Sequence, residues 1–192
     1  MVARSGDCRN GGRPVKTRKE IDALSRKLDG LLPVDLSNVA FLCIGTDRST
    51  GDSLGPLVGR YLKRRGIPRV FGTLQDPCHA QNLQEHLDSL QGKFVLAIDS
   101  CLGRSTSVGR IDIGEGPLQP GAGVGKELSE AGDAHIKGIV NVGGFMEYFV
   151  LQNTRLALVD DMATAIGRAI CGVFRRQSQS AMAEAAVGLE GR

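Results

Sequence analysis

Short apolar runs alternate with amphipathic patterns along most of the chain. Runs with the length and β-branched content of buried strands fall at residues 39–44, 69–72, 93–99 and 135–142. Apolar positions at helical spacing predict helices over residues 18–31, 53–65, 80–90, 144–152 and 155–174. A weaker alternation predicts an edge or antiparallel strand at residues 107–113. Strands that alternate with helices predict an α/β fold, a three-layer doubly wound mixed sheet with helices on both faces.

The length of the chain, 192 residues, fits one domain with one hydrophobic core. We place this single α/β domain at residues 17–175. Residues 1–16 are rich in Arg, Gly and Ser and predict a disordered basic tail. Residues 176–192 are polar or alanine-rich and predict a flexible C-terminal tail.

The composition is that of an ordinary soluble protein, with 41% hydrophobic and 23% charged residues and a net charge of +3. The basic residues at 60–65 have helical spacing and no aromatic neighbours, so we expect no nucleic-acid partner. No apolar run reaches the length of about 18 residues that a membrane span needs. The five cysteines are odd in number and lack a Cys-x-x-Cys pair, which favours a reducing compartment. We therefore predict a cytoplasmic protein without a membrane partner, and the oligomeric state stays open.

The glycine-rich loop after the first predicted strand is the first candidate for a ligand site. A phosphate-binding P-loop requires Gly-x-x-x-x-Gly-Lys-Ser/Thr. Here Gly45 and Gly51 are one residue too far apart, and Asp52 stands where the lysine should be. A carboxylate at that point would repel phosphate, so the loop does not predict a nucleotide site.

Two aspartates lie where predicted parallel strands end. Asp52 follows the first strand and Asp99 ends the third, and such strand ends line one crevice in an open α/β sheet. Each has a simpler interpretation, because Asp52 precedes a helix as an N-cap would and Asp99 could begin a turn. Together they predict a carboxylate pair that either shares a proton or holds a divalent metal ion.

Other polar residues also fall near this crevice. Arg48 and Arg104 follow strands and would either bind a peptide carboxylate or remain surface arginines. His79, beside Cys78, either joins the crevice or serves a loop, and no spacing supports a Cys–His catalytic pair. The glycine-rich stretch at residues 114–125 predicts a loop along the crevice.

Several blocks of the chain resemble the YyaC family of sporulation proteins, over roughly residues 30–175. They are the loop at residues 45–56, the strand end Ala-Ile-Asp at 97–99, Gln-Pro-Gly-Ala-Gly-Val-Gly at 119–125 and the block at 138–156. The resemblance implies a role in sporulation, in the cytoplasm of the forespore or spore.

A more distant similarity links the same blocks to the germination protease of bacterial spores. Its Pro-Asp-Ala-Leu-Gly-Pro loop and its Ile-Asp-Ala strand end are matched here around Asp52 and Asp99. The similarity implies a phosphorylase/hydrolase-like fold, catalysis by these two aspartates and no cofactor. Its Pro-Gly-Ser-Gly-Val-Gly segment corresponds to residues 120–125, which suggests Gly121 and Gly123 as substrate-binding residues beside Arg48. The substrate implied is a protein or peptide in spores.

The hydrogenase maturation endopeptidases are also similar, and they add a histidine as a third metal ligand. That histidine falls on Asn141, and an amide oxygen is a poor ligand for a transition metal. We therefore expect no metal, with Asn141 orienting water or a substrate carbonyl. Three functions remain open: an aspartate-pair peptidase, a non-catalytic module that binds a peptide or protein, and a metal-dependent peptidase.

Overall fold

A five-stranded mixed sheet forms the centre of the protein. The computed structural model describes residues 17–121 and 128–190, with residues 181–190 as backbone. The strands, in chain order, are β1 (Val39–Cys43), β2 (Val70–Phe71), β3 (Phe94–Gly103), β4 (Ile111–Glu115) and β5 (Ala134–Val142). Their order in the sheet is β2-β1-β3-β5-β4, in which only β4 is antiparallel to its neighbour. The predicted α/β class and the antiparallel edge strand are confirmed.

The helices are α1 (Arg18–Asp29), α2 (Leu54–Arg64), α3 (Leu83–Ser89), α4 (Glu147–Gln152) and α5 (Leu156–Glu190). α5 continues well past residue 174, so the predicted end of this helix is wrong. The sequence beyond that residue contains no proline and is rich in Ala, Gln and Glu, which favour continued helix. Mobility of residues 176–192 stays a prediction, and residues 1–16 lie outside the described part of the chain. Within that part, no helix is both long and apolar enough to cross a membrane.

The two faces of the sheet carry separate hydrophobic clusters, because successive strand residues point to opposite faces. On one face, Phe41, Ile98 and Ile136 pack against α1, α2 and α5. On the other, Leu42 and Ala97 pack against α3 and the loops around it. Helices therefore cover both faces of the sheet.

A crevice opens where β1 ends while β3 continues. The last paired residues are Cys43 of β1 and Ile98 of β3; the Ile44 N–H still donates to the Ile98 carbonyl, and Ile44 bridges Cys78 on its other side. β3 runs on along β5 to Gly103, with a register shift after Cys101. Asp99 was predicted to end its strand, and that boundary is wrong because pairing with β5 extends the strand. It is nevertheless the first residue of β3 without a β1 partner.

Candidate active site

The loop after β1 folds back on itself to place Asp52. Gly45 has a φ of +135°, a conformation that disfavours any side chain, and a Cβ there would collide with the Asp52 carbonyl oxygen. The Thr46 N–H donates a hydrogen bond to that carbonyl at 3.1 Å. The glycine therefore lets the two ends of the loop meet and holds Asp52 at the end of β1.

Asp52 is not the N-cap of the following helix. It lies within a 3₁₀ turn (Gly51–Ser53), and the N-cap of α2 is Ser53, which makes no side-chain capping bond. Gly55 brings this helix so close to β1 that a Cβ would collide with the Ile44 carbonyl oxygen. The start of α2 is thus held against the strand, and the Asp52 carboxylate lines the crevice.

Asp99 is a buried carboxyl group with a strongly perturbed pKa. Its side chain is 7% exposed and accepts a hydrogen bond from the Ser100 N–H at 2.7 Å. Burial raises its pKa well above the ordinary value, and the nearby charge of Asp52 raises it further. The Ser100 hydrogen bond and Lys137 lower the pKa, but these effects are smaller.

The pKa of Asp52 is also raised, with burial as the main cause. A backbone hydrogen bond from Thr46 and the proximity of His79 act in the opposite direction. The two carboxyl groups interact electrostatically, and Asp99 has the larger displacement and an almost fully buried side chain. Of the two carboxyl groups, Asp99 therefore favours its protonated form more strongly than Asp52 does.

Lys137 is the positively charged cross-strand neighbour of Asp99. It lies directly opposite Asp99 on β5 and opposite Asp112 on β4, so the three side chains share one face of the sheet. Its charge lowers the pKa of Asp99. Lys137 is not evident as a site residue from the sequence, because strand register decides which residues become cross-strand neighbours.

Both aspartates line one cavity of about 910 Å³. Arg48 and Gly121 line it as well, so the structure brings four of the predicted site residues together. Gly123 lies outside the described residues. The cavity has both polar and apolar walls, and the segment between β5 and α4 contributes to its lining.

Asn141 has a different position from the one predicted. Its side-chain amide donates to the Thr154 hydroxyl at 3.2 Å and to the Val150 carbonyl at 3.4 Å. Its carbonyl oxygen accepts from the Val142 N–H at 2.9 Å. These bonds tie the end of β5 to the region of α4. Asn141 therefore bonds within the chain and is not among the residues that line the cavity.

The donor set therefore does not fit the three-ligand metal site that the hydrogenase maturation endopeptidases imply. The Asn141 oxygen, in the position of the third ligand, is already bonded within the chain. Among the residues the structure describes, no group of three or more His, Cys, Asp or Glu side chains is arranged to hold a metal ion.

Two thiols lie near Asp99 and remain protonated. Burial raises the pKa of Cys78 to about 12 and that of Cys101 to about 11, and in both the Asp99 carboxylate adds to the effect when it is ionised. A nucleophilic cysteine requires a lowered pKa, so neither thiol fits that role. His79 lines the cavity, and its Nδ1 accepts from the Gln81 N–H at 3.3 Å. It thus both joins the crevice and serves the loop before α3.

Several cavity residues were not singled out from the sequence. Ser49 lines the cavity, and its buried hydroxyl oxygen is the one such side-chain atom without a hydrogen-bond partner in the described part of the chain. Met146, Glu147 and Tyr148 also line the cavity. In the sequence, the apolar run directly after Gly144 could have indicated the residues at 146–148, because a turn there exposes side chains that would otherwise be buried.

The fold and the site together define an α/β protein in which Asp52, after β1, and the buried Asp99, within β3, line one cavity. The chain belongs to the family described as "Protein of unknown function (DUF1256)", whose model matches residues 15–169. It is 57% identical over 138 residues to the uncharacterized protein YyaC of Bacillus subtilis (strain 168), covering 69% of this chain and 67% of that protein.

A comparison of structures finds the NiFe hydrogenase maturation protease HycI from Thermococcus kodakarensis KOD1. The TM-score is 0.49 at 17% sequence identity, with 78% of this chain and 99% of that chain covered. The predicted membership in the YyaC family is confirmed by the family model and by the sequence relative.

Proposed function

We propose that the protein hydrolyses a peptide bond with Asp52 and Asp99. The observation that carries the proposal is the pair itself: two carboxyl groups in one cavity, of which Asp99 is buried with a pKa raised by burial and by its partner. Such an environment separates the roles of two carboxyl groups into an acid and a base. The two raised pKa values thus support acid–base catalysis.

In the proposed reaction, ionised Asp52 removes a proton from a water molecule as its oxygen attacks the peptide carbonyl carbon. Protonated Asp99 donates its proton to the carbonyl oxygen, which gives a neutral tetrahedral diol. When the C–N bond breaks, Asp52 gives its proton to the departing nitrogen and one diol hydroxyl returns a proton to Asp99. The products are a carboxylic acid and an amine, and the pair regains its initial protonation.

The cavity supports a polypeptide as the substrate. Its volume of about 910 Å³ is near the upper end of the usual range for ligand pockets, about 300–1,000 Å³. From the family resemblance we propose sporulation as the setting and a peptide or protein of the forespore or spore as the substrate.

A second function, binding without turnover, is favoured by a separate observation. Large apolar side chains are exposed beside the cavity, among them Phe145 at 82% and Tyr148 at 59%. Such a surface suits recognition of a peptide or protein whether or not a bond is cleaved. The two functions differ only in what the aspartates do.

Cleavage of a peptide library prepared from a bacterial proteome separates the two. Peptides incubated with the wild-type protein should acquire new termini, identified by mass spectrometry. Asp52→Asn and Asp99→Asn should each reduce their yield by about 100-fold or more, because each removes one acid–base group. Asp47→Asn is the matched control, since Asp47 is an exposed carboxylate in the same loop.

Equal yields from the wild type and Asp52→Asn would reject the hydrolase. If the wild type produces no new termini but retains peptides on an affinity column, the binding function replaces it.

A further inference from the structure

An exposed apolar surface adjoins the cavity where β5 leads into α4. We define it as the apolar rim, formed by Phe145, Met146, Tyr148 and Phe149. Their exposed fractions are 82%, 53%, 59% and 55%. The rings of Tyr148 and Phe149 pack edge to face, with centroids 6.1 Å apart. Four large apolar side chains exposed within five residues form a patch of the kind that marks an interaction site.

The apolar rim is continuous with the cavity that holds the aspartate pair. Met146 and Tyr148 belong to both, and Leu151 and Leu102 extend the apolar wall inward. A ligand that reaches Asp52 and Asp99 from this side must therefore pass over the rim. This continuity distinguishes the rim from an isolated patch such as the side chain of Val34, which is 92% exposed.

The backbone of the rim is fixed in an unusual conformation. Met146 has a φ of +50°, and such a left-handed conformation costs a non-glycine residue about 1–3 kcal/mol. Two bonds hold the segment: the Gly144 N–H donates to Glu147 Oε1 at 3.0 Å, and the Val150 N–H donates to the Met146 carbonyl at 3.1 Å. The Asn141 bonds to the Val150 carbonyl and to Thr154 fasten the same helix to β5. The rim is thus a preformed surface.

Another stretch of the cavity wall can accept a peptide backbone. Ser100, Cys101 and Leu102 line it along the part of β3 that β1 no longer pairs. An extended peptide beside such a strand gains main-chain hydrogen bonds, while alternate side chains point to opposite sides. One of these side chains would then meet the rim.

We propose that the apolar rim binds a large apolar side chain of an extended polypeptide, Phe, Tyr, Leu or Met, close to the bond presented to the aspartate pair. This specificity rests on the proposed function, which places the cleaved bond at the aspartate pair. A flexible peptide can reach both the rim and the buried Asp99, whereas the flat surface of a second folded copy covers the rim alone. The occupant is therefore an unfolded or extended segment with a large apolar residue.

The test uses the same proteome-derived peptide library in two arms. In the first, peptides are captured on immobilised Asp99→Asn protein; in the second, wild-type cleavage products are sequenced. Captured and cleaved peptides should be enriched in Phe, Tyr, Leu or Met. In the cleaved peptides, the enriched residue should lie a fixed number of residues from the new terminus. Adding Tyr148→Ser to either protein should reduce that enrichment about 10-fold, the usual effect of losing apolar contacts in a specificity pocket.

Val34→Ser is the matched control, because it removes an exposed apolar side chain outside the cavity lining. It should leave the enrichment unchanged. Phe149→Ser provides a second rim variant if Tyr148→Ser lowers the thermal unfolding midpoint, which is measured for each protein.

The two arms distinguish failure of the rim from failure of the hydrolase. Cleavage without an apolar preference overturns the proposal for the rim but leaves the proposed hydrolysis intact. Capture with the preference but without cleavage keeps the rim and rejects the hydrolase. No capture, or equal losses in Val34→Ser and the rim variants, overturns the rim. The proposal for the rim is also overturned if the wild-type protein is a dimer that Tyr148→Ser dissociates and the captured peptides show no apolar preference.

Discussion

At the scale of residues, the protonation of Asp99 connects burial to chemistry. Its raised pKa means that the folded protein keeps a proton that the unfolded chain releases between the ordinary carboxyl pKa and the raised value. The corresponding stability is fully present below the ordinary pKa and is lost as the pH rises through the raised one. The burial that suits Asp99 to act as an acid thus also means that ionisation of Asp99 destabilises the folded protein.

Asp99→Asn should therefore flatten this part of the dependence of stability on pH. Relative to the wild type, the variant should gain free energy of unfolding as the pH rises from about 4 to 8, because the amide never ionises. Denaturant unfolding at a series of pH values measures the difference. A constant difference between the two proteins across that range would contradict the raised pKa.

Lys137 should act on the same group from across the sheet. Lys137→Met removes a positive charge that lowers the pKa of Asp99, so that pKa should rise further. Titration of the Asp99 carboxyl carbon by NMR detects the shift directly. Lys137→Arg keeps the charge and should titrate like the wild type, whereas identical curves for Met and Lys would show that the two groups do not interact.

The sequence predicted the residues of the pair better than their surroundings. Asp52, Asp99, Arg48 and Gly121 meet in one cavity because strand ends and the loops that follow them converge in an α/β sheet. Asn141 was predicted to bind substrate, yet its side-chain amide bonds to Val150 of α4 and to Thr154 just after it, a contact that only the folded chain creates.

At the scale of elements, the contact between α2 and the end of β1 positions Asp52. The helix starts directly after the 3₁₀ turn, and its distance from the strand is set by Gly55. The sequence predicted the strand and the helix but not the 3₁₀ turn between them, which replaces the expected cap. The extension of β3 was missed for a similar reason, since pairing with β5 decides where the strand ends.

Gly55→Ala should displace α2 and destabilise the protein by about 2–4 kcal/mol, the usual cost of overpacking against a fixed backbone. The midpoint of denaturant unfolding gives the magnitude. Gly30→Ala is the matched control, because a Cβ at Gly30 meets atoms no nearer than 3.7 Å at an ordinary φ of −76°. Equal stability of the two variants would show that the α2 contact is not tight.

At the scale of the whole molecule, α1 is fastened to α5 by polar contacts across the helix pair. Ser25 Oγ donates to the Ala169 carbonyl at 2.7 Å. Arg176 donates to the Ser25 carbonyl at 2.8 Å and to Asp29 at 3.1 Å. The domain therefore depends on residue 176, which the sequence analysis assigned to the C-terminal tail because alanine-rich polar sequence carries no apolar stripe.

Arg176→Ala should destabilise the domain by about 1–3 kcal/mol, because it removes hydrogen bonds from a charged donor and leaves the Ser25 carbonyl without this partner. Thermal or denaturant unfolding measures the loss. Arg168→Ala, at an exposed position of the same helix, should change stability by less than about 0.5 kcal/mol. A similar small change in Arg176→Ala would show that α1 is held by apolar packing alone.

The most direct test of the aspartate-pair hydrolase is peptide-library cleavage in water labelled with heavy oxygen. Mass spectrometry of the products from the wild type, Asp99→Asn and Asp47→Asn follows the label. The proposed reaction predicts one heavy-oxygen atom in each new carboxyl terminus, with a yield about 100-fold lower in Asp99→Asn and unchanged in Asp47→Asn. Unlabelled new termini, or equal yields from the wild type and Asp99→Asn, would contradict hydrolysis by this pair.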